Sequence, residues 1–353
     1  PKFLPYFRQY RPIKFSLHEN PSEEDFIDVF TDDFAATCAT VAQAEVLPYK
    51  GDPMIIVFAM SDVPILTEGY ANSASSWKGY TMPTWARVLR NLPGTAPGKQ
   101  KYVECMKEEY SDNITVFNTT YGTSFADWDE LKTTEDWRNA ADKNNSRETK
   151  DNNAFNSICI SKYYEVASEA FSAVNPNHMF IGDKINANLK DLSELDIVVD
   201  AIQNYVDVIM FQCFAMPDYQ QQVQDRIAQA ADLPYMNGDG GFGAFGDPHM
   251  PNPQYPTARN QAERAEWILE YASGAFKDPN FVGYHLCGVI DGWNTSGTNK
   301  PGIENALGDP HDVTIKALNE IGENLYQYRG LAGDAVSNVP DKLSDWGKYE
   351  DIK

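Results

Sequence analysis

The feature that most constrains this chain is a rhythm in its second half, where short apolar runs alternate with segments of helical periodicity. Residues 177–184 (NHMFIGDK) read as a strand followed by a helix over 193–204, and 206–214 (VDVIMFQCF) as a strand followed by a helix over 219–231. A strand at 233–237 precedes a helix at 260–276, and a last strand at 281–290 (FVGYHLCGVI) precedes a helix at 313–328. Strands separated by helices of ten or more residues predict βαβ units and a parallel sheet.

The first half is less regular. Residues 10–17 read as an extended segment, and 22–45 as a helix with Ser22 as its N-cap. Residues 54–60 (MIIVFAM) form a continuous apolar run of the buried-strand kind. That run stops at Ser61-Asp62-Val63-Pro64, where proline blocks further pairing. Residues 67–155 hold Trp77, Tyr80, Trp85, Tyr121, Trp128 and Trp137 among Gly, Pro, Asn and Ser, with helical patterning at 99–117 and again at 153–174. An excursion of that length within a compact domain usually carries function.

Six strand–helix units are counted, near residues 10, 57, 181, 209, 235 and 285. A closed (β/α)₈ TIM barrel needs eight. The abrupt opening at Pro1 favours a barrel whose first two βα units are missing from this chain; a six-strand open sheet is the structural rival. The expected organisation is one barrel domain over 1–330, with 67–155 inserted as a long loop after the strand at 54–60, and a polar tail over 331–353.

If these are barrel strands, polar side chains should gather at their carboxyl ends. They do: His18 and Glu19, then Asp62, Asp183 with Lys184, Gln212 with Cys213, Asn237 with Asp239, and His285 with Asp291 and Trp293. Six polar ends in succession are better explained by one shared site than by chance. Asp239 stands within Asn237-Gly-Asp-Gly-Gly-Phe-Gly243, and glycines allow sharp turns or close approach to a ligand. Each residue also has a plainer reading: Lys184 as a surface lysine, His285 and His178 as structural histidines, Asp207 as a local cap. Trp77, Trp85 and Trp293 suit either ordinary packing or stacking on sugar rings at a barrel mouth.

Charge and cysteine content narrow the function classes. A formal net charge of −22 argues against nucleic acid, whose phosphates need a basic footprint, and against anionic membrane surfaces. Scattered acidic residues suit the surface of a secreted or periplasmic protein, and no apolar run reaches the length of a membrane span. The five cysteines are odd in number and far apart, without a CxxC, so neither a disulfide framework nor a structural metal is expected; Cys213 and Cys287 read as core residues. No GxGxxG opens a helix, and no cofactor is expected.

Three stretches resemble agarase-like and β-galactosidase-like glycoside hydrolases. Residues 163–184, from Tyr163-Tyr-Glu-Val-Ala to Asn175-Pro-Asn-His-Met-Phe-Ile-Gly-Asp-Lys184, are similar to a helix followed by a DPNHLYLG segment. Gly238-Asp-Gly-Gly-Phe-Gly243, Asn260-Gln-Ala-Glu-Arg-Ala265 and Asp278-Pro-Asn-Phe-Val-Gly-Tyr-His285 are similar to GEFHFG, NQAERA and PxFVGxH; residues 118–130 match in style. The resemblance covers most of residues 50–330 and implies a (β/α)₈ barrel with an acid/base carboxylate after strand 4 and a nucleophile after strand 7. Matched from the carboxyl end, those positions fall on Asp62 and Asp239. The family has Asn-Glu and Glu there, whereas this chain has Ser61-Asp62 and Asp239. Retaining glycosidases hold their carboxyl groups roughly 5–5.5 Å apart and inverting ones about 6.5–9.5 Å. Two side chains each one methylene shorter would widen the gap by roughly 2 Å, which points to inversion with Asp62 as general acid and Asp239 as base.

Three functions stand at this stage. The first is hydrolysis of a marine galactan-type polysaccharide or its oligosaccharides by Asp62 and Asp239. His18, Glu19, Trp77, Trp85, Gln212, Asn237, Asp291 and Trp293 would then hold the sugar. The second is a lyase or dehydratase acting on uronic-acid-containing oligosaccharides, with Lys184 or His285 abstracting the proton. The third is a non-catalytic sugar-binding barrel.

Overall fold

The computed structural model describes residues 26–52, 55, 57–78, 82–244, 256–291, 302–305 and 307–330, with the side chains of 76–78 outside that set. The chain divides into two compact units. One comprises Pro1–Cys213 with Arg226–Gly238, and the other Phe214–Asp225 with Asp239–Lys353.

The first unit is built on parallel strands. β1 (Val57–Asp62) pairs with β2 (Met179–Asn186), and β2 with β3 (Ile209–Cys213), both in parallel. β4 (Tyr235–Gly240) follows β3 in the strand order, and Ile209 N–H donates to Pro234 O at 2.9 Å. Ile181, Val208 and Met210 form a buried cluster on the sheet, with Val57, Ala59 and Met236 packed against it. Gly238 permits this: a Cβ there would stand 1.9 Å from Met210 Cε.

Helices dominate the segment between β1 and β2. α1 (Asp32–Val41) precedes β1, and its N-cap is Thr31; Ser22 lies outside the described residues. After β1 come α2 (Glu68–Lys78), α3 (Trp85–Leu89), α4 (Pro97–Glu109), α5 (Ile114–Tyr121), α6 (Trp128–Thr133) and α7 (Ser146–Val174). The expected loop-rich excursion is therefore a helical layer. The single helix read over 99–117 is two, broken where Ser111 and Asp112 take φ of 51° and 61°.

α7 organises this layer. It starts with a capping box between Asn145 and Glu148, each accepting the other's backbone N–H at 2.9 Å. Its buried Asn153 accepts the Glu68 N–H and its Asn156 accepts the Ala86 N–H, both at 2.9 Å. These asparagines satisfy donors at the starts of α2 and α3 that would otherwise be stranded away from water. The buried Glu68 carboxylate takes Arg87 Nη2 at 2.7 Å, Thr84 Oγ1 at 2.9 Å and Asn152 Nδ2 at 3.0 Å. Phe117, Tyr121 and Trp137 pack against one another in the same layer, with centroid separations of 4.3 to 5.8 Å.

The remaining first-unit helix is α8 (Ser193–Ile202); α9 (Pro217–Ala230) and β4 each run from one unit into the other. In the second unit, a short parallel pair, β5 (Gly243–Ala244) and β6 (Thr257–Ala258), precedes α10 (Gln261–Ala275), β7 (Phe281–Leu286) and α11 (Asp312–Tyr328). Cys287 N–H donates to Gly240 O at 2.8 Å, and α10 packs on α11. The βα alternation read from sequence from β2 onward is observed with boundaries moved by a few residues. The extended segment at 10–17 and the tail at 331–353 lie outside the described residues.

Candidate active site

The first-unit strands deliver their acidic and basic side chains through an irregular register. Phe58 pairs with Phe180, Ala59 with Gly182, and Asp62 with Lys184. An extra residue on β2 between the first two pairs is matched by one on β1 between the last two. Gly182 takes φ of 62°, the left-handed region that favours glycine, at the first irregularity. The bulge explains an otherwise odd spacing. Phe180 stacks on Phe171 of α7 at 5.1 Å, and Asp183, three residues later, is bonded to Tyr164 of the same helix.

Asp62 and Lys184 are brought together. Lys184 Nζ lies 3.0 Å from Asp62 Oδ1, with the lysine side chain 4% exposed and the aspartate 34%. The surface-lysine reading of Lys184 is corrected: its stem is buried and its ammonium is held on a strand-end carboxylate. After Asp62 the chain turns at Val63, a β-branched residue held at φ 42°, whose N–H donates to Lys184 O at 2.9 Å. Strain of this kind costs about 1–3 kcal/mol and persists where neighbouring structure over-determines the backbone. It holds the Asp62 turn onto β2.

Asp183 precedes Lys184 on β2 and is 1% exposed. Its Oδ2 accepts the Tyr164 hydroxyl at 2.6 Å. Burial pushes the Asp183 carboxyl up to about 7; the Tyr164 hydroxyl and the Ser61 main chain pull the other way, and the Asp62 charge adds to the rise. The Tyr164 phenol is raised well above its ordinary range, first by burial and then by the Asp183 charge. Tyr164 was missed in the sequence because nothing local marks it. The only signal is the glycine before Asp183.

The other sequence-predicted residues divide by position. Gln212, partly buried, is the penultimate residue of β3, and its carbonyl accepts the Ala187 N–H at 2.8 Å. Asn237 is fully buried in β4. In the second unit, Asp239 is partly buried and His285 exposed, so the core-histidine reading of His285 is corrected. Asp291 is 2% exposed and is used internally: it accepts the Gly302 N–H at 2.5 Å and faces His311 Nε2 at 2.8 Å. His18, Glu19 and Trp293 lie outside the described residues, as does the side chain of Trp77 at the end of α2.

Trp85 requires a correction. It is 1% exposed, its indole N–H donates to Ile27 O at 3.1 Å, and its rings meet Phe26 at 5.9 Å and Tyr163 at 5.4 Å. Both faces belong to the core, so it offers no platform to a sugar. His178 and Asp207 have the structural roles read for them: His178 Nε2 lies 3.0 Å from Asp52 O, and Asp207 accepts the Phe180 N–H at 2.7 Å. Cys213 and Cys287 are buried. Among the described residues no group of three His, Cys, Asp or Glu side chains is placed to hold a metal, and no helix is long and apolar enough to cross a membrane.

Comparison with known proteins follows the same lines. The chain is 23% identical over 341 residues to beta-agarase A of Vibrio sp., matching 91% of this chain and 32% of that protein, so it spans about a third of this relative's length. Its fold superposes on a crystal structure of an agarase with a TM-score of 0.66 at 21% identity, covering 86% of this chain and 41% of the other. An exo-beta-agarase gives the same score and identity over 86% and 39% of the two chains. A beta-galactosidase from the psychrophilic Marinomonas ef1 gives 0.53 at 10% identity over 89% and 46%. No protein-family model matches the chain. The likeness is thus to a beta-agarase in sequence, and to agarases and a beta-galactosidase in fold.

Proposed function

We propose that this chain is a glycoside hydrolase, or the barrel portion of one, acting on an algal galactan-type polysaccharide or its oligosaccharides. The observation that carries this reading is the likeness to a beta-agarase along 91% of the chain, on a fold shared with agarases. The Asp62–Lys184 pair stands at the carboxyl end of the first described strand, where α/β barrels keep their chemistry. The sheet is read as part of a (β/α)₈ barrel in which β1 and β4 are the fourth and seventh strands. Asp62 then gives a proton to the leaving glycosidic oxygen, and Asp239 takes one from the attacking water, with inversion at the anomeric carbon. Gln212 and Asn237 remain candidates for holding sugar hydroxyls. The scattered acidic residues, with a formal net charge of −22, favour a secreted or periplasmic place. Elimination is the weaker reading, because Lys184 would have to give up its pair with Asp62 before it could act as a base.

The test is turnover of agarose, agaro-oligosaccharides and uronic-acid-containing algal oligosaccharides, reading reducing ends and unsaturated-uronate absorbance together. Reducing ends without absorbance, lost by about 10²–10⁴-fold in Asp62→Asn and Asp239→Asn, support the proposal. Absorbance means elimination. Sugar binding without turnover means a non-catalytic barrel.

A further inference from the structure

Val63 is ill suited to the backbone it adopts. It is β-branched, it precedes Pro64, and its φ of 42° lies at the edge of the small left-handed region open to L-residues. A β-branched side chain is an outlier there, and the proline ring pushes the residue before it toward extended backbone. The other non-glycine residues with positive φ among the described residues are Ser111, Asp112 and Asp136, none of them β-branched.

Two anchors impose this turn. On one side Lys184 holds the end of β1 at two points: its main-chain O accepts the Val63 N–H at 2.9 Å, and its Nζ lies 3.0 Å from Asp62 Oδ1. On the other side Asn153 of α7 accepts the Glu68 N–H at 2.9 Å, which fixes the first residue of α2. Between the anchors Pro64, Ile65, Leu66 and Thr67 are all buried, so the connection has no freedom to swing out into solvent. A chain that leaves β1 at Asp62 and enters α2 at Glu68 along this path takes its turn at Val63.

We propose that Val63 is a positioning residue whose strained turn holds the Asp62 carboxyl in one placement at the candidate active site. The left-handed well of a β-branched residue is narrow, so the backbone after Asp62 has little torsional play. Glycine at the same place would reach both signs of φ. Strain of this kind collects where a side chain must be pre-organised for chemistry. The inference rests on the reading of Asp62 as the general acid, but the stiffness of the turn is measurable without any substrate.

The experiment compares Val63→Ala and Val63→Gly with the wild-type full chain, and uses Ser111→Gly as a control for relieving a left-handed residue in the helical layer. Urea midpoints, hydrogen exchange of the residue-63 amide, kcat and KM are read for each. Alanine keeps the backbone strain and glycine relieves it, so Val63→Gly should have the higher midpoint of the two, the reverse of their order within a helix or strand. Activity should run the other way. We expect kcat to fall by about 10- to 100-fold in Val63→Gly and by less than about threefold in Val63→Ala, with KM little changed in either. The residue-63 amide should lose about tenfold or more of its exchange protection in Val63→Gly, as its bond to Lys184 O opens locally. A merely structural residue would lose activity and stability together.

A Val63→Gly protein that fails to fold, is less stable than Val63→Ala, or keeps the wild-type kcat overturns the inference, as does an equal fall of kcat in Ser111→Gly. Should Val63→Ala not fold, Val63→Gly decides by kcat and exchange against the wild type. A wild type that turns over no sugar defeats the proposed function instead. Exchange at residue 63 then decides alone, and unchanged protection in Val63→Gly overturns the inference.

Discussion

A Cβ placed on Gly182 would stand 2.3 Å from Cε1 of Tyr164, so the closeness of helix α7 to strand β2 depends on a missing side chain. The same glycine takes φ of 62° and supplies the bulge that turns Asp183 toward Tyr164.

Gly182→Ala should therefore disturb both stability and site. The left-handed backbone and the overpacked ring together predict a loss of about 2–4 kcal/mol. The urea midpoint should fall, and Tyr164→Phe should cost less in the alanine background than in the wild type because the hydroxyl contact is already displaced. Full additivity of the two changes would show that Gly182 and Asp183 are independent.

The raised Asp183 carboxyl predicts a direction for stability against pH. Its folded value, about 7, lies above the unfolded one of 3.8, so between them the native state holds a proton that the unfolded chain has lost. Its contribution is then fully present below about pH 4 and is lost as pH rises through 7. Asp183→Asn has no such loss. Urea midpoints from pH 4 to 8 should show the variant gaining on the wild type by a few kcal/mol in total, with little further change above 8. Parallel curves would count against the raised value.

Trp85→Phe separates packing from sugar contact. Losing the indole and its bond to Ile27 should lower stability by about 1–3 kcal/mol, while affinity for an oligosaccharide ligand stays within about twofold in the folded fraction. A tenfold drop in affinity with unchanged stability would return Trp85 to the binding surface.

Glu68→Gln tests the helical layer between β1 and β2. The change leaves buried Arg87 without its counter-charge and predicts a loss of about 3–5 kcal/mol in chemical denaturation. Replacing both residues by apolar ones of similar volume should cost less than the single change.

Much of this architecture was legible in the chain. The run at 54–60 is continuously apolar, and those at 177–184, 206–214 and 281–290 are largely apolar with polar residues within or just after them, a pattern readable without any detail of packing. The helices between β1 and β2 were harder to read. α3 has 5 residues and α6 has 6, too short for a periodicity to stand out, and their stability comes from α7 rather than from their own composition. Trp85 was misread for the same reason. Its neighbours in sequence are those of a loop, while its neighbours in space are Phe26 and Tyr163.

The chain by itself determined the order of strands and helices and which strand ends carry acids and bases, because hydrophobic periodicity and strand-terminating residues are local properties. Only the tertiary structure decided that Lys184 pairs with Asp62, that Asp183 turns back to Tyr164, and that Asp291 is used internally against Gly302 and His311. Those outcomes depend on strand register and on two compensating irregularities between β1 and β2. A slip of one residue would reverse which side chains face helix and which face site. Register is settled by contacts far apart in sequence, so no local pattern contains it.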